Sequence, residues 1–346
     1  MDFILILISL FFSFFREFAE IDGSTLYSLM VYMPIGILFV KHFKNYSLCL
    51  MPFFFALVFI SIAIFSPYSG YNWRTAINLS IIPMILWCYC NIHMGYGKRR
   101  FLYFFILVIF VYFHFFYIIN LQLNGNTVGR MYFNFFWIFL SLSSTLQKQR
   151  WLLKVVHVLV MAICVVQMWE SDCRTAILVS LGLILASIFI KRPPTSSWPL
   201  HVLMIGGLIF PLVYVYISSI SPYISFMGKN LFSQRDEIWG EIFRQLNDIN
   251  HFVFGGVYVS WWHLSYHNSF LTLVAEYGIL VYILLWVSLM VTFSYMKKKF
   301  PATSCKVILM IVIAYIYGYA EAFVITNTLF VALPLCFIPK KQNGKR

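Results

Sequence analysis

Apolar runs long enough to cross a membrane recur along almost the whole chain. The stretch 199–219, for example, contains no Asp, Glu, Lys or Arg. A helix needs about 20 apolar residues to cross the ~30 Å hydrocarbon core of a bilayer. Hydrophobic residues make up 61% of the chain and charged residues 11%, whereas soluble domains are about 45–50% apolar. These features exclude an ordinary soluble domain and predict an all-α, polytopic transmembrane helical bundle.

The number of such runs sets the predicted number of spans at about 12. The first run is short and the last two share a tight turn, which leaves a range of 10–12 spans. Most connections between the runs are short, so residues 1–346 are expected to form a single membrane domain. The predicted spans lie near 3–15, 25–40, 46–65, 75–94, 101–119, 131–146, 151–168, 175–190, 199–219, 268–296, 305–321 and 323–338.

The 25 Lys and Arg residues are divided unequally between the two faces of the predicted bundle. With the N-terminus inside, 18 of the 25 fall in connections on the inner side. This bias follows the positive-inside rule, so both termini are predicted to be cytoplasmic. The net charge of +13 is then mostly a topology signal, and no nucleic-acid partner is expected. The basic residues on the outer side are Arg16, Arg74, Arg130, Arg174, Lys229, Arg235 and Arg244.

One connection, 220–266, is far longer than the others and lies on the predicted outer side between spans 9 and 10. Long connections in compact proteins often carry function. Within it, SQRDEIWGEIFRQLND predicts an amphipathic helix with Ser233 as its N-cap. Such a helix would lie along the membrane surface on its apolar stripe. The stripe consists of Ile238, Trp239, Ile242, Phe243 and Leu246.

The outer basic side chains are almost all arginines, which bind phosphate in a bidentate fork. Arg74 and Arg174 each begin the tetrapeptide Arg-Thr-Ala-Ile at the outer start of a predicted span, and Arg130 precedes another span. Arg235 falls in the first turn of the loop helix, where backbone N–H groups and the helix dipole favour an anion. Each arginine has the alternative of an ion pair with a nearby acid. Convergence of several arginines would instead create an anion site.

The stretch 267–278, HNSFLTLVAEYG, begins the tenth predicted span at its outer end, and Asn268 is a candidate helix cap. At about 100° per residue, Gly278 falls on the His267 face and would open a groove beneath it, whereas Glu276 faces another helix. Glu276 is interpreted either as a structural hydrogen-bonding group or as a functional one. His267 is either an interfacial histidine or a general base, because histidine titrates near neutral pH.

Three motifs, in this order, resemble the O-antigen ligase and polymerase superfamily of polytopic glycosyltransferases. They are CRTAILVS at an outward helix start, SQRDEIW in the long loop and HNSFLTLVAEYG at a late helix start, within residues 169–296. The resemblance implies metal-independent, inverting transfer of a glycan from an undecaprenyl-pyrophosphate carrier to an acceptor hydroxyl, without a cofactor. It also implies the bacterial inner membrane, with 220–266 as a periplasmic loop that contains the amphipathic helix, and a glycan or glycolipid acceptor.

By this resemblance, Arg174 and Arg235 would hold the pyrophosphate, and His267 would be the base or positioning group. Glu321, at the outer end of the eleventh predicted span, would match an acid of the ligases. One departure is Val281, which stands where the ligase pattern has a second small residue. Possible supporting roles are assigned to Arg74, Arg130, Asn268, Glu276, Gly278 and Glu321.

Several alternatives stay open. The narrow face at Val281 and the modest loop favour a polymerase, which joins two substrates on the same carrier, over a ligase, which must admit lipid A–core. A metal-dependent glycosyltransferase would need an external acidic pair, for which the E-x-D spacings at 20–22 and 170–172 are candidates. A flippase or transporter would carry ionisable residues along a central path, but the predicted spans hold few besides Glu276. The cysteines show neither disulfide nor zinc spacing, and the resemblance implies that no metal is used.

Overall fold

The computed structural model describes residues 1–18, 25–42, 73–119, 125–142, 151–190, 196–226, 229–232, 234–259, 267–300, 305–321 and 324–337. Within these ranges the chain is helical apart from one short ladder, in which β1 (Ser225–Phe226) pairs antiparallel with β2 (Lys229–Asn230). The helices are α1 (Asp2–Phe18), α2 (Thr25–Lys41), α3 (Trp73–Asn91), α4 (Tyr96–Ile119), α5 (Gly125–Leu142), α6 (Trp151–Glu170), α7 (Arg174–Phe189), α8 (Trp198–Ile220), α9 (Arg235–Gln245), α10 (Ile249–Phe254), α11 (Ser269–Lys299), α12 (Cys305–Tyr315) and α13 (Val324–Ala332). Two 3₁₀ turns, Ile316–Tyr319 and Leu333–Cys336, follow α12 and α13.

Four of the described helices, α4, α6, α8 and α11, are long and apolar enough to cross a membrane. Their surfaces carry large apolar side chains, such as Val108 and Val158, which are 68% and 64% exposed. Extended apolar surface of this kind is rare on soluble monomers, whereas lipid solvates it well. The chain is therefore a helical membrane protein, as its composition predicts. The predicted span at 46–65 and the acidic pair at 20–22 lie outside the described residues.

Helix α5 lies at the centre of the main core. Its residues 131–139 are all buried, and the helix contacts α6, α7 and α13. Trp137 Nε1 donates a hydrogen bond to the Val331 carbonyl of α13 at 3.2 Å. A side chain at Gly129 would overlap Cys173, so this glycine lets α5 approach the turn that precedes α7. That close approach positions the start of α7.

Helix α9 corresponds to the amphipathic helix predicted in the long connection, but its start and its environment differ from the prediction. The helix begins at Arg235, and its N-cap is Gln234 in a left-handed conformation (φ 65°) without a side-chain capping bond. Gln234 thus occupies the N-cap position that the sequence assigned to Ser233, and Ser233 itself lies outside the described residues. The buried part of the apolar stripe, Ile238, Trp239 and Ile242, packs against Tyr214 of α8 and other residues of a small second core. Protein, rather than the membrane surface, covers this face.

Helix α11 is broken at Gly278, whose φ of 82° and ψ of 165° are not helical. A side chain at this position would overlap the carbonyl of Val253, so glycine lets the end of α10 approach closely. The carbonyls of Ala275 and Glu276, near the break, accept hydrogen bonds of 2.9 and 3.2 Å from the N–H groups of 256–257. Lipid cannot satisfy backbone groups, so a break of this kind is tolerated where protein covers it.

The expectation that Gly278 opens a groove beneath His267 is wrong. The helical-wheel comparison assumed one continuous helix from residue 267 to residue 278. Instead, His267 has a left-handed φ of 54°, α11 begins only at Ser269, and the helix breaks at Gly278. The space beside Gly278 is occupied by α10. Val281 lies beyond the break, so its size carries no information about a groove near His267.

Candidate functional site

A cavity of about 410 Å³ lies at the N-terminal ends of α7 and α9. Residues of α8 and of the segment that follows α12 complete its walls. Four side chains that the sequence singles out line this one cavity: Arg174, Arg235, His267 and Glu321. They come from four separate segments of the chain, so the tertiary structure is what brings them together.

Glu321 contacts both Arg235 and His267. Arg235 Nη2 donates a hydrogen bond to Glu321 Oε1 at 2.7 Å, and His267 Nδ1 lies 3.4 Å from Glu321 Oε2. The side chains of Arg235, Glu321 and His267 are 17%, 12% and 20% exposed. Water therefore screens their charges only in part, and Coulomb interactions are stronger here than at an open surface. One carboxylate is shared between a guanidinium and an imidazole.

Two helices begin at arginines in this cavity. Arg174 is the first residue of α7 and Arg235 is the first residue of α9. Arg174 Nη2 donates to the Asn230 carbonyl of β2 at 3.4 Å, and both guanidinium groups act electrostatically on the Tyr214 hydroxyl of α8. Helix N-termini add N–H groups and the positive end of the helix dipole. Two arginines at two helix starts are the features that bind phosphate groups.

Asn268 joins three segments next to His267, and its side chain is fully buried. Its Oδ1 accepts hydrogen bonds from the N–H groups of residues 270 and 271 and thereby caps α11, as the sequence predicts. Its Nδ2 donates to the Gly207 carbonyl of α8 at 3.3 Å and to the Tyr319 carbonyl at 2.8 Å. Ser269 Oγ donates to the Glu321 carbonyl at 2.8 Å. These bonds hold the backbones of residues 267 and 321 beside each other.

Left-handed backbone conformations are concentrated at this site. In the part of the chain that the structure describes, the non-glycine residues with positive φ are Asp172 (54°), Gln234 (65°) and His267 (54°). Asp172 and His267 line the cavity, and Gln234 directly precedes Arg235. Such conformations cost about 1–3 kcal/mol each and cluster at functional sites. Each of them turns the chain sharply just before a helix start.

Other residues assigned to the site from the sequence lie elsewhere. Arg130 does not line the cavity, although it interacts electrostatically with Tyr317. Glu276 and Gly278 lie at the break in α11 and do not line the cavity either. Arg74 is in the first turn of α3, and its side chain lies outside the described residues.

The sequence interpretation missed the aromatic and thiol groups around the charges. Tyr214 and Tyr319 line the cavity together with Cys173, whose Sγ lies 3.1 Å from the Tyr317 hydroxyl. Burial raises the pKa of the Cys173 thiol and so favours its neutral form. In a chain with 20% aromatic residues, no local signal separates an aromatic side chain that lines a cavity from one that faces lipid.

Within the described ranges, no group of three or more His, Cys, Asp or Glu side chains is placed to hold a metal ion. Of the external acidic pair at 170–172, only Asp172 lines the cavity. The second carboxylate of the cavity is Glu321, which is engaged by Arg235 and His267.

Comparison with protein-family models, with curated proteins and with solved structures gives no match to this chain. The fold and the cavity therefore define its class directly. It is a helical membrane protein with an arginine- and histidine-lined cavity at the ends of its helices.

Proposed function

We propose that the protein is a membrane glycosyltransferase that transfers a glycan from an undecaprenyl-pyrophosphate carrier to a hydroxyl group of a glycan or glycolipid acceptor. The observation that carries the proposal is the convergence of Arg174, Arg235 and His267 on one cavity of a membrane protein. Guanidinium groups suit the pyrophosphate, and an imidazole beside them suits an acceptor hydroxyl. A donor held in the lipid by its carrier could reach the cavity along the membrane helix α8, which lines it.

In the proposed reaction, the acceptor oxygen attacks the anomeric carbon on the face opposite the pyrophosphate. The new C–O bond forms while the bond from the anomeric carbon to the phosphate oxygen breaks, so the configuration inverts. His267 takes the hydroxyl proton, and the electron pair of the broken bond leaves with the undecaprenyl pyrophosphate. Arg174 and Arg235 neutralise the charge that develops on the leaving group, and fixed charges of this kind need no reorganisation during the reaction.

The proposal includes a membrane topology. About 12 spans would place both termini in the cytoplasm of a bacterium and residues 220–266 in the periplasm. The support is the distribution of charge, because 18 of the 25 Lys and Arg residues fall on one side. The cavity would then face the periplasm from the inner membrane.

Among enzymes of this kind, a polymerase of O-antigen or another surface polysaccharide is the proposed activity. The sequence offered two reasons for preferring it to a ligase, and the reason based on Val281 no longer applies because α11 is broken before that residue. The second reason remains. The described residues between α8 and α11 form a short ladder and two short helices. We expect a connection of this modest length to suit two similar lipid-linked glycans better than a bulky lipid A–core acceptor.

A flippase or transporter for a lipid-linked glycan is the second candidate. One observation favours it, since broken membrane helices such as α11 are frequent in transporters. However, the break is filled by protein from α10 and the segment after it. The charged groups of the cavity lie near the ends of helices rather than along a path through the bundle.

The test is a transfer assay with purified protein and lipid-linked oligosaccharide in proteoliposomes. Arg174→Lys and Arg235→Lys are each expected to lower the transfer rate at least about tenfold, because a lysine cannot reproduce the bidentate fork. Arg244→Lys is the matched control, since this side chain is 77% exposed and forms its ion pair with Glu241 of the same helix. His267→Ala should reduce kcat more than donor binding.

Full activity in both Lys variants would remove pyrophosphate binding from the proposal. Movement of the lipid-linked glycan across the bilayer without any transfer would favour the transporter. In the native host, deletion should leave lipid A–core that carries a single repeat unit if the protein is a polymerase. A bare core with polymer stranded on its carrier would indicate a ligase instead.

A further inference from the structure

The position of Glu321 raises a question about an anion-binding cavity. A carboxylate repels a pyrophosphate, and its charge is only partly screened at 12% exposure. It nevertheless contacts both a proposed phosphate ligand, Arg235, and the proposed base, His267. Because the Glu321 carboxylate weakens donor binding, we expect it to assist another step of the reaction.

The contacts of Glu321 supply that contribution in two ways. Its Oε2 faces His267 Nδ1 at 3.4 Å, and a carboxylate at this nitrogen favours the tautomer in which Nδ1 carries the proton. The opposite ring nitrogen, Nε2, is then the one that accepts a proton from substrate. Its Oε1 accepts a hydrogen bond from Nη2 of Arg235. Since a guanidinium has five N–H donors in a fixed plane, this contact orients the remaining donors without using them all.

The backbone of Glu321 is attached to the same turn as His267. Ser269 Oγ donates to the Glu321 carbonyl at 2.8 Å, and Asn268 Nδ2 donates to the Tyr319 carbonyl at 2.8 Å. The relative position of the carboxylate and the imidazole is therefore set by several bonds. A surface ion pair, by contrast, has two mobile partners and contributes little.

We propose that Glu321 is a positioning residue that fixes the tautomer and orientation of His267 and the plane of the Arg235 guanidinium. The inference rests on the proposed glycan transfer. When His267 Nε2 takes the proton of the acceptor hydroxyl, the new C–O bond forms and the pyrophosphate leaves with its electron pair. The imidazolium that results is stabilised by the Glu321 carboxylate, which stays ionised. The proton on His267 Nε2 is later released to water.

Other charged or titratable groups also face Arg235, Glu321 and His267. Burial raises the pKa of the Cys173 thiol and so favours its neutral form. The groups concerned are Arg174, Asp172 and Cys173 from the turn before α7 and the start of α7, Tyr214 from α8, and Tyr317 and Tyr319 from the 3₁₀ turn.

Glu321→Gln tests the proposal because it keeps the shape and removes the charge. We expect kcat to fall about 10²–10⁴-fold, the range associated with loss of general acid–base catalysis, while the donor KM changes only a few-fold. Glu321→Asp should recover part of kcat. Glu241→Gln, which breaks the exposed pair with Arg244, should leave both parameters unchanged.

A second measurement does not depend on transfer. In protein with ¹⁵N-labelled histidine, the His267 signals, assigned with His267→Gln, should show a proton on Nδ1 in the wild type and a mixture of tautomers in Glu321→Gln. An unchanged tautomer together with an unchanged kcat would overturn the role of Glu321. If the tautomer shifts but the wild type transfers no glycan, the proposed function fails while the positioning of His267 by Glu321 stands.

Discussion

Replacement of Asn268 by aspartate separates two functions of one buried side chain, namely the capping of α11 and the donation of hydrogen bonds to two carbonyls. Aspartate keeps the acceptor oxygen that caps α11, but at neutral pH it has no donor for the carbonyls of Gly207 and Tyr319. Each lost hydrogen bond that leaves a buried carbonyl unsatisfied costs about 1–3 kcal/mol. The two together lower the free energy of unfolding by about 3 kcal/mol or more, since a carboxylate is also forced against two carbonyl oxygens.

Asn268→Ala provides the comparison, because it loses the cap as well as the donors but buries no charge. The missing cap adds about 1 kcal/mol to the cost. If the donor bonds supply most of the stabilisation by Asn268, the aspartate variant should be as unstable as the alanine variant or more so. If the cap supplies most of it, the aspartate variant should resemble the wild type and only the alanine variant should be destabilised.

Unfolding in mixed micelles, titrated with a denaturing detergent and followed by tryptophan fluorescence, measures these differences. Asn91→Asp is the matched control at the far end of the bundle. Asn91→Asp also loses an amide donor, which binds the Trp87 carbonyl at 2.7 Å. However, the Asn91 Oδ1 already accepts hydrogen bonds from Tyr295 and from the Lys299 ammonium, so a carboxylate there gains an ion pair. A stability of Asn268→Asp within about 0.5 kcal/mol of the wild type would refute the assignment of the two donor bonds.

Two further predictions concern the break in α11 and the topology. Gly278→Ala should lower the free energy of unfolding by at least about 1–3 kcal/mol, because alanine is strained at a φ of 82°. Gly240→Ala in α9, where the nearest atom would lie 3.9 Å away, should be neutral or slightly stabilising, and equal effects would contradict the break. A cysteine in place of Tyr223, which is 91% exposed, should react with an impermeant thiol reagent from the periplasmic side, whereas a reporter fused after Arg346 should be active only in the cytoplasm. Labelling of residue 223 from the cytoplasmic side alone would reverse the proposed orientation.

Helix positions followed from local composition. The predicted span at 199–219 corresponds to α8 (Trp198–Ile220), and the predicted span at 175–190 corresponds to α7 (Arg174–Phe189). Apolar runs and their boundaries are local properties, and a membrane leaves a long apolar segment little alternative to a helix. The placement of Arg174 at a helix start and of Asn268 as a cap was predictable for the same reason.

Local patterns failed where a distant segment determines the backbone. Ser233 looked like a cap for α9, yet the helix starts after a left-handed Gln234. The apolar stripe of α9 fits lipid or protein equally well by its spacing, and the fold selects protein. The helical wheel that placed Gly278 below His267 assumed a continuous helix. Sequence periodicity cannot reveal that α10 packs beside Gly278 and that α11 is broken there.

The sequence by itself determined that this chain is a helical membrane protein and that single arginines stand at the starts of its helices, because these are properties of neighbouring residues. Only the tertiary structure decided which charges meet. Arg235 and Glu321 are 86 residues apart, and His267 and Glu321 are 54 apart, so no pattern along the chain links them. Their contact depends on how α9, α11 and the turn after α12 pack together, since buried charges are placed by the whole fold that surrounds them.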